Sequence, residues 1–213
     1  PATAGGILGG ASKRAAIGAC FGVGLIPAGA AELFAVRRGA LGVTYIVLDG
    51  GWNESVEPLI GKALESLSEW SKRPAKETKA AVLEFFRVRL KNLLTGQGVS
   101  GDAAEAVLAL HADQPLAAIL RARALENLKG QEGFKDLAQV FKRVVNIIKK
   151  FGAKDEFDQW DLLGQDVEKT LLSRIEGVEN KVQPLLAAGD YAGLLAEIAD
   201  LRGPVDDFFD QVL

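Results

Sequence analysis

The chain has 213 residues, 48% of them hydrophobic and 25% charged, which is enough apolar material to bury a core and excludes wholesale disorder. A formal charge of -3 gives no overall attraction to nucleic acid, so any basic surface has to be local. One cysteine and one histidine exclude an intramolecular disulfide and a Cys/His zinc cage, and they fit a reducing, cytoplasmic setting.

The chain opens on Pro1 and contains no methionine, so it reads as a fragment excised from a longer protein. Ala15 to Ala31 carries no charge but is interrupted by Gly18, Gly22, Gly24, Pro27 and Gly29. It is shorter than the roughly 20 apolar residues that a spanning helix needs, and no membrane span is expected. The spacing predicts helices over Gly10–Val23, Glu32–Leu48 and Ser55–Trp70. Val43–Leu48 is the one β-prone run, and without a partner strand it is assigned to helix. Ser71–Pro74 is the clearest break, because Pro74 expels its predecessor from the α region and can open the next helix. The domain boundary is placed there, giving units 1–73 and 74–213. Beyond it, helices are predicted over Pro74–Thr95, Asp102–Ala112, Pro115–Lys129, Phe134–Phe151, Gln165–Ala188, Asp190–Leu201 and Pro204–Leu213, with a kink or break before Pro184 left open. Asp102 with Glu105 reads as a capping box, Gly189 as a left-handed stop before the N-cap Asp190, and Gly203-Pro204 as a second stop and start. The fold class is all-α, in two packed helical bundles.

Charge is unevenly distributed: residues 119–154 hold nine basic and three acidic side chains, and residues 155–213 hold four and fourteen. Within the basic window, Leu137, Phe141, Val144 and Ile148 repeat as a core stripe, while Lys135, Lys142, Asn146 and Lys149 share another face. Arg143 and Lys150 flank that row, and Arg121, Arg123 and Lys129 lie on the preceding helix, which a short connection would bring alongside. Such a face neutralises successive phosphates, with Asn146 free to bond a base or sugar; a merely solvated amphipathic helix has the same pattern. Arg37 and Arg38 are expected in a structural interdomain ion pair, and His111 at a helix end as a capping or surface group. Cys20 is expected as a small core residue, and Trp52, Trp70, Trp160, Phe85 and Phe86 as packing anchors. No nucleotide cradle, nucleophile elbow or metal motif is present, so no catalytic residue and no metal ligand is assigned.

Phe21 to Val43 (FGVGLIPAGAAELFAVRRGALGV) resembles the glycine-rich turn and following helix of the beta subunit of bacterial glycyl-tRNA synthetase. The resemblance continues in order through Ala103–Leu110 (AAEAVLAL), Arg121–Leu125 (RARAL), Phe141–Lys150 (FKRVVNIIKK), Val182–Leu195 (VQPLLAAGDYAGLL) and Leu201–Leu213 (LRGPVDDFFDQVL). It implies that residues 1–73 are the C-terminal part of an HD-like helical core. Residues 74–213 would then resemble the anticodon-binding domain of arginyl-tRNA synthetases, truncated at the C-terminus. The implied partners are tRNA-Gly and an alpha subunit that holds the active site and uses ATP and magnesium; this chain would carry no cofactor of its own. Where the family reads Ala-Asp-Lys-Leu-Asp, Ala11-Ser12-Lys13-Arg14-Ala15 lacks both carboxylates, and the His and Asp cluster of an HD-type phosphohydrolase is absent. The alternative is a non-catalytic helical scaffold for subunit association, without direct tRNA contact.

Overall fold

A computed structural model describes Ile17 and residues 36–51, 53, 55–151 and 163–212; the side chains of Arg37, Trp70 and Phe151 are not described. The described residues form helices and turns with no strand among them, so the chain is all-α. Contacts divide it into two compact units between Ala122 and Arg123.

The first unit contains α1 (Val36–Asp49), α2 (Glu57–Glu65), a 3-10 turn (Ser68–Trp70), α3 (Ala75–Gly96), α4 (Gly101–His111) and the first half of α5 (Pro115–Lys129). Val36, Ala40, Val43 and Val47 recur at four, three and four residues, which sets one face of α1 against Ile60 and Leu64 of α2 and Val82, Phe85 and Phe86 of α3 in one core. Helices α1, α2 and α4 all pack on α3. Pro74 therefore caps α3 without ending the packed unit, because the aromatic stripe of α3 completes the core that α1 and α2 begin. The compact division consequently falls inside α5 and not at the sequence break. Leu94 is fully buried, and the buried hydroxyls of Thr44 and Thr78 donate to the carbonyls of Ala40 and Pro74 one turn back, each at 3.1 Å.

The second unit holds the end of α5, then α6 (Phe134–Phe151), α7 (Asp166–Ala188), α8 (Tyr191–Ala199) and α9 (Arg202–Val212). Helix α9 packs on both α6 and α7, and α8 packs on α7. Its core is thin: among the described residues the buried apolar side chains are Ala124, Leu137, Val140, Tyr191 and Phe209, and α7 contributes none.

Several boundaries differ from those expected, for local reasons. The helix predicted over Ser55–Trp70 stops at Glu65, where the Ser66 hydroxyl donates to the Ala63 carbonyl at 2.9 Å and competes with the helical ladder. Helix α4 has Ser100 at its N-cap, with Asp102 already inside the first turn, so the Asp102/Glu105 box does not form; Glu105 reaches Arg87 and Lys91 on α3. A capping box does form at Gln165 with Glu168. Helix α7 runs unbroken through Pro184, and the carbonyl at exposed Asn180 that loses its donor can be served by solvent. Gly203 does not stop a helix: α9 starts at Arg202 and takes Gly203 and Pro204 into its first turn, where a missing N–H costs nothing. The predicted helix Gly10–Val23 (apart from Ile17, which is helical and buried), the Ala11–Ala15 departure, Cys20, Trp52 and Trp160 lie outside the described residues.

Candidate nucleic-acid interface

Helix α6 spans Phe134–Phe151, as its pattern predicts. At about 100° per residue, Lys135, Lys142 and Lys149 drift by only about 20° per seven residues, and Asn146 falls beside them. All four are exposed. Among the described residues, no carboxylate, ring or hydrogen-bond partner engages the three lysines, the condition in which a cation is open to a ligand. The row covers about 21 Å of helix.

The opposite flank of α6 is held by α9. Asp136 accepts an ion pair from Arg202 at 2.9 Å, and Arg202 also lies 3.7 Å from Asp206 on its own helix. Arg143 stacks its guanidinium 4.1 Å from the centroid of Phe209, a buried ring of α9. Leu137 and Val140 are buried on that side. These contacts fix the rotation of α6 about its axis and leave the lysine row outward. Arg143 is exposed overall but committed to packing, so it differs from the lysines that it was grouped with.

The expected core stripe is only half realised. Leu137 is buried and Val144 half-buried, but Phe141 is 38% exposed and Ile148 45%, joined by Val145 at 44%. Helix α9 packs along the Leu137–Val140 edge of an apolar arc that extends well beyond that edge. The signal was present in the sequence: Val145 and Ile147 widen the arc beyond the four residues of the stripe.

The remaining expected cations are spread out. Arg123 and Lys150 are exposed in the second unit, while Lys129 lies 3.8 Å from Glu126. Arg121 belongs to the first unit, where it is half-buried and contributes to the field at His111. Burial, and then Arg121, hold the His111 imidazole below its ordinary pKa. Arg38 is exposed. Sequence reasoning missed the first unit's ionic network: Arg87 bridges Glu84 at 2.8 Å and Glu105 at 2.6 Å, and Lys91 meets Glu105 at 2.6 Å. Hydrogen bonds to Glu84 and then Glu105 raise the Arg87 pKa, and those from Lys91 and then Arg87 lower that of Glu105. This network consumes its charges internally and offers a ligand little. Among the described residues, no group of three or more His, Cys, Asp and Glu side chains could hold a metal ion, and no helix is long and apolar enough to cross a membrane.

Comparison with known proteins adds a family context. Residues 1–109 match the family model described as glycyl-tRNA synthetase beta subunit. Similar proteins include the glycine--tRNA ligase beta subunits of Geobacter sulfurreducens, 45% identical over 203 residues, of Geobacter metallireducens, 44% over 204, and of Syntrophotalea carbinolica, 39% over 203. Each alignment covers 95% of this chain and 29% of the relative, so the chain spans under a third of the length of these relatives.

Proposed function

Because the chain belongs to the glycyl-tRNA synthetase beta subunit family, we propose that it is a non-catalytic, tRNA-binding portion of a glycine-tRNA ligase, and that α6 is its main RNA-facing helix. In this reading an alpha subunit carries out the ATP- and magnesium-dependent glycylation of tRNA-Gly in the cytoplasm. The present chain holds the tRNA, with residues 74–213 acting as an anticodon-binding-like module. The observation that supports it is the exposed row Lys135, Lys142 and Lys149, open on the flank away from α9 in a chain whose net charge is -3. Phosphate neutralisation by such a row is non-specific and positions the RNA, with Asn146 beside it as the group able to read a base or sugar. Arg123 and Lys150 extend the field, and Arg143 contributes charge from its place on Phe209.

The test is binding of fluorescent tRNA-Gly and a non-cognate tRNA to the chain at two salt concentrations. Three phosphate contacts predict a loss of about 40-fold between 50 and 200 mM salt. Lys142→Glu with Lys149→Glu should weaken both tRNAs together and reduce the logarithmic salt slope by about two, with the melting temperature unchanged. Undiminished affinity in the folded double variant would remove α6 from the RNA interface.

A further inference from the structure

We infer that the exposed apolar strip of α6 is a docking surface for an acidic amphipathic helix of a partner protein. Phe134, Ala138, Phe141, Val145 and Ile148 follow one another at four, three, four and three residues, the spacing of the d and a positions of a coiled-coil seam. Phe134 is half-buried and the other four are exposed. In that register Lys135, Lys142 and Lys149 each follow a d residue and occupy three successive e positions, where interhelical ion pairs select a partner.

The other edge of the seam, Leu137 and Val144, turns toward the flank that α9 covers. A helix docking here therefore approaches from the lysine side. Its chemistry follows from the charges: apolar residues at a and d, with carboxylates on the flank that meets Lys135, Lys142 and Lys149. A second α6 does not meet this need. Antiparallel pairing would set e lysines against e lysines, and parallel pairing would set them against the apolar g positions Leu137 and Val144. An RNA strand would use the lysines, but it gives no account of apolar side chains in heptad register with them. The inference goes beyond tRNA binding and stands without it; since both ligands draw on the same lysines, they would exclude one another.

The experiment uses the full chain and two fluorescent three-heptad peptides with leucine at a and d, one with glutamate at e and g and the other with lysine there. The acidic peptide should bind about tenfold or more tightly than the basic one. Val145→Gln with Ile148→Gln should abolish that binding while the circular dichroism melt is retained, and Lys142→Glu with Lys149→Glu should reverse the preference toward the basic peptide. Equal binding of the two peptides, or full binding by the folded glutamine variant, would overturn the inference. So would concentration-dependent self-association lost in that variant, which would assign the strip to a second copy. Loss of tRNA affinity in it without any peptide binding would assign the strip to RNA. Peptide binding with no tRNA binding would overturn the proposed function and leave this inference standing.

Discussion

His111 ends α4 half-buried, and its burial, reinforced by Arg121 and opposed by Asp113, keeps its pKa under the ordinary 6.5. The folded protein thus prefers the neutral ring, and below pH 6.5 the unfolded chain binds the extra proton. This contribution to stability is complete above 6.5, declines as pH falls toward the folded pKa, and is constant below it. Urea midpoints at pH 7.5 and 5.5 should show a decline in the natural chain that His111→Gln reduces. Glu105 titrates in a lower window, since Lys91 and Arg87 depress its pKa below 4.5 and its stabilisation is lost as pH falls through the folded value. Glu105→Gln should flatten that acid limb and leave the histidine window untouched. The effect will be modest, because both partners are partly solvated. Neither feature was legible in the sequence: a histidine at a helix end has no visible depth, and Glu105 was read as a local cap when its partners lie across a helix–helix contact.

Helix α8 shows how local chemistry sets an element. Gly189 ends α7 at φ 71°, and a Cβ there would meet nothing within 4 Å, so Gly189→Ala costs only backbone strain, about 1 kcal/mol. The Asp190 side chain then accepts from the Gly193 N–H at 2.9 Å, and a Cβ on Gly193 would lie 2.5 Å from that same carboxylate. Gly193→Ala should therefore displace the cap and destabilise by about 1 kcal/mol. In an Asp190→Ala background the same substitution should cost less, because the carboxylate has gone, only the end of the Leu185 side chain at 3.2 Å has to shift, and alanine favours helix. Thermal melts of the four proteins in this cycle would show additivity if the carboxylate is not the obstacle. Here the sequence was readable, since stop and cap are neighbours in the chain. The Gly203-Pro204 pair, with the same residue logic, misled because a first turn accepts both residues. For α6 the limits of the helix were legible from its period, whereas the fraction of its apolar arc that is covered depended on where α9 docks.

Across the molecule the two units differ in how deeply they bury their helices. Amides around Leu90 and Leu94 in α3 should exchange with solvent at least about tenfold more slowly than those of α7, which has no buried side chain, and hydrogen-exchange mass spectrometry would read the difference. The contrast was not visible in composition, since α7 carries as regular an apolar period as its neighbours. Nor was the division inside α5, a continuous helix without a proline or glycine between Pro115 and Lys129 to mark it. The segregation of charge could be read directly and holds in the exposed lysines of α6. The clasp of α9 on one side of α6 also restricts how this stretch can vary over evolutionary time. Substitutions along the lysine row change surface chemistry and little else. Deleting one residue between Leu137 and Val140 turns everything after it by about 100°, driving Phe141 into the buried place of Val140 and Lys142 onto the apolar strip. As far as the fold is concerned, descendants of this sequence can thus exchange letters in the row but cannot change their number.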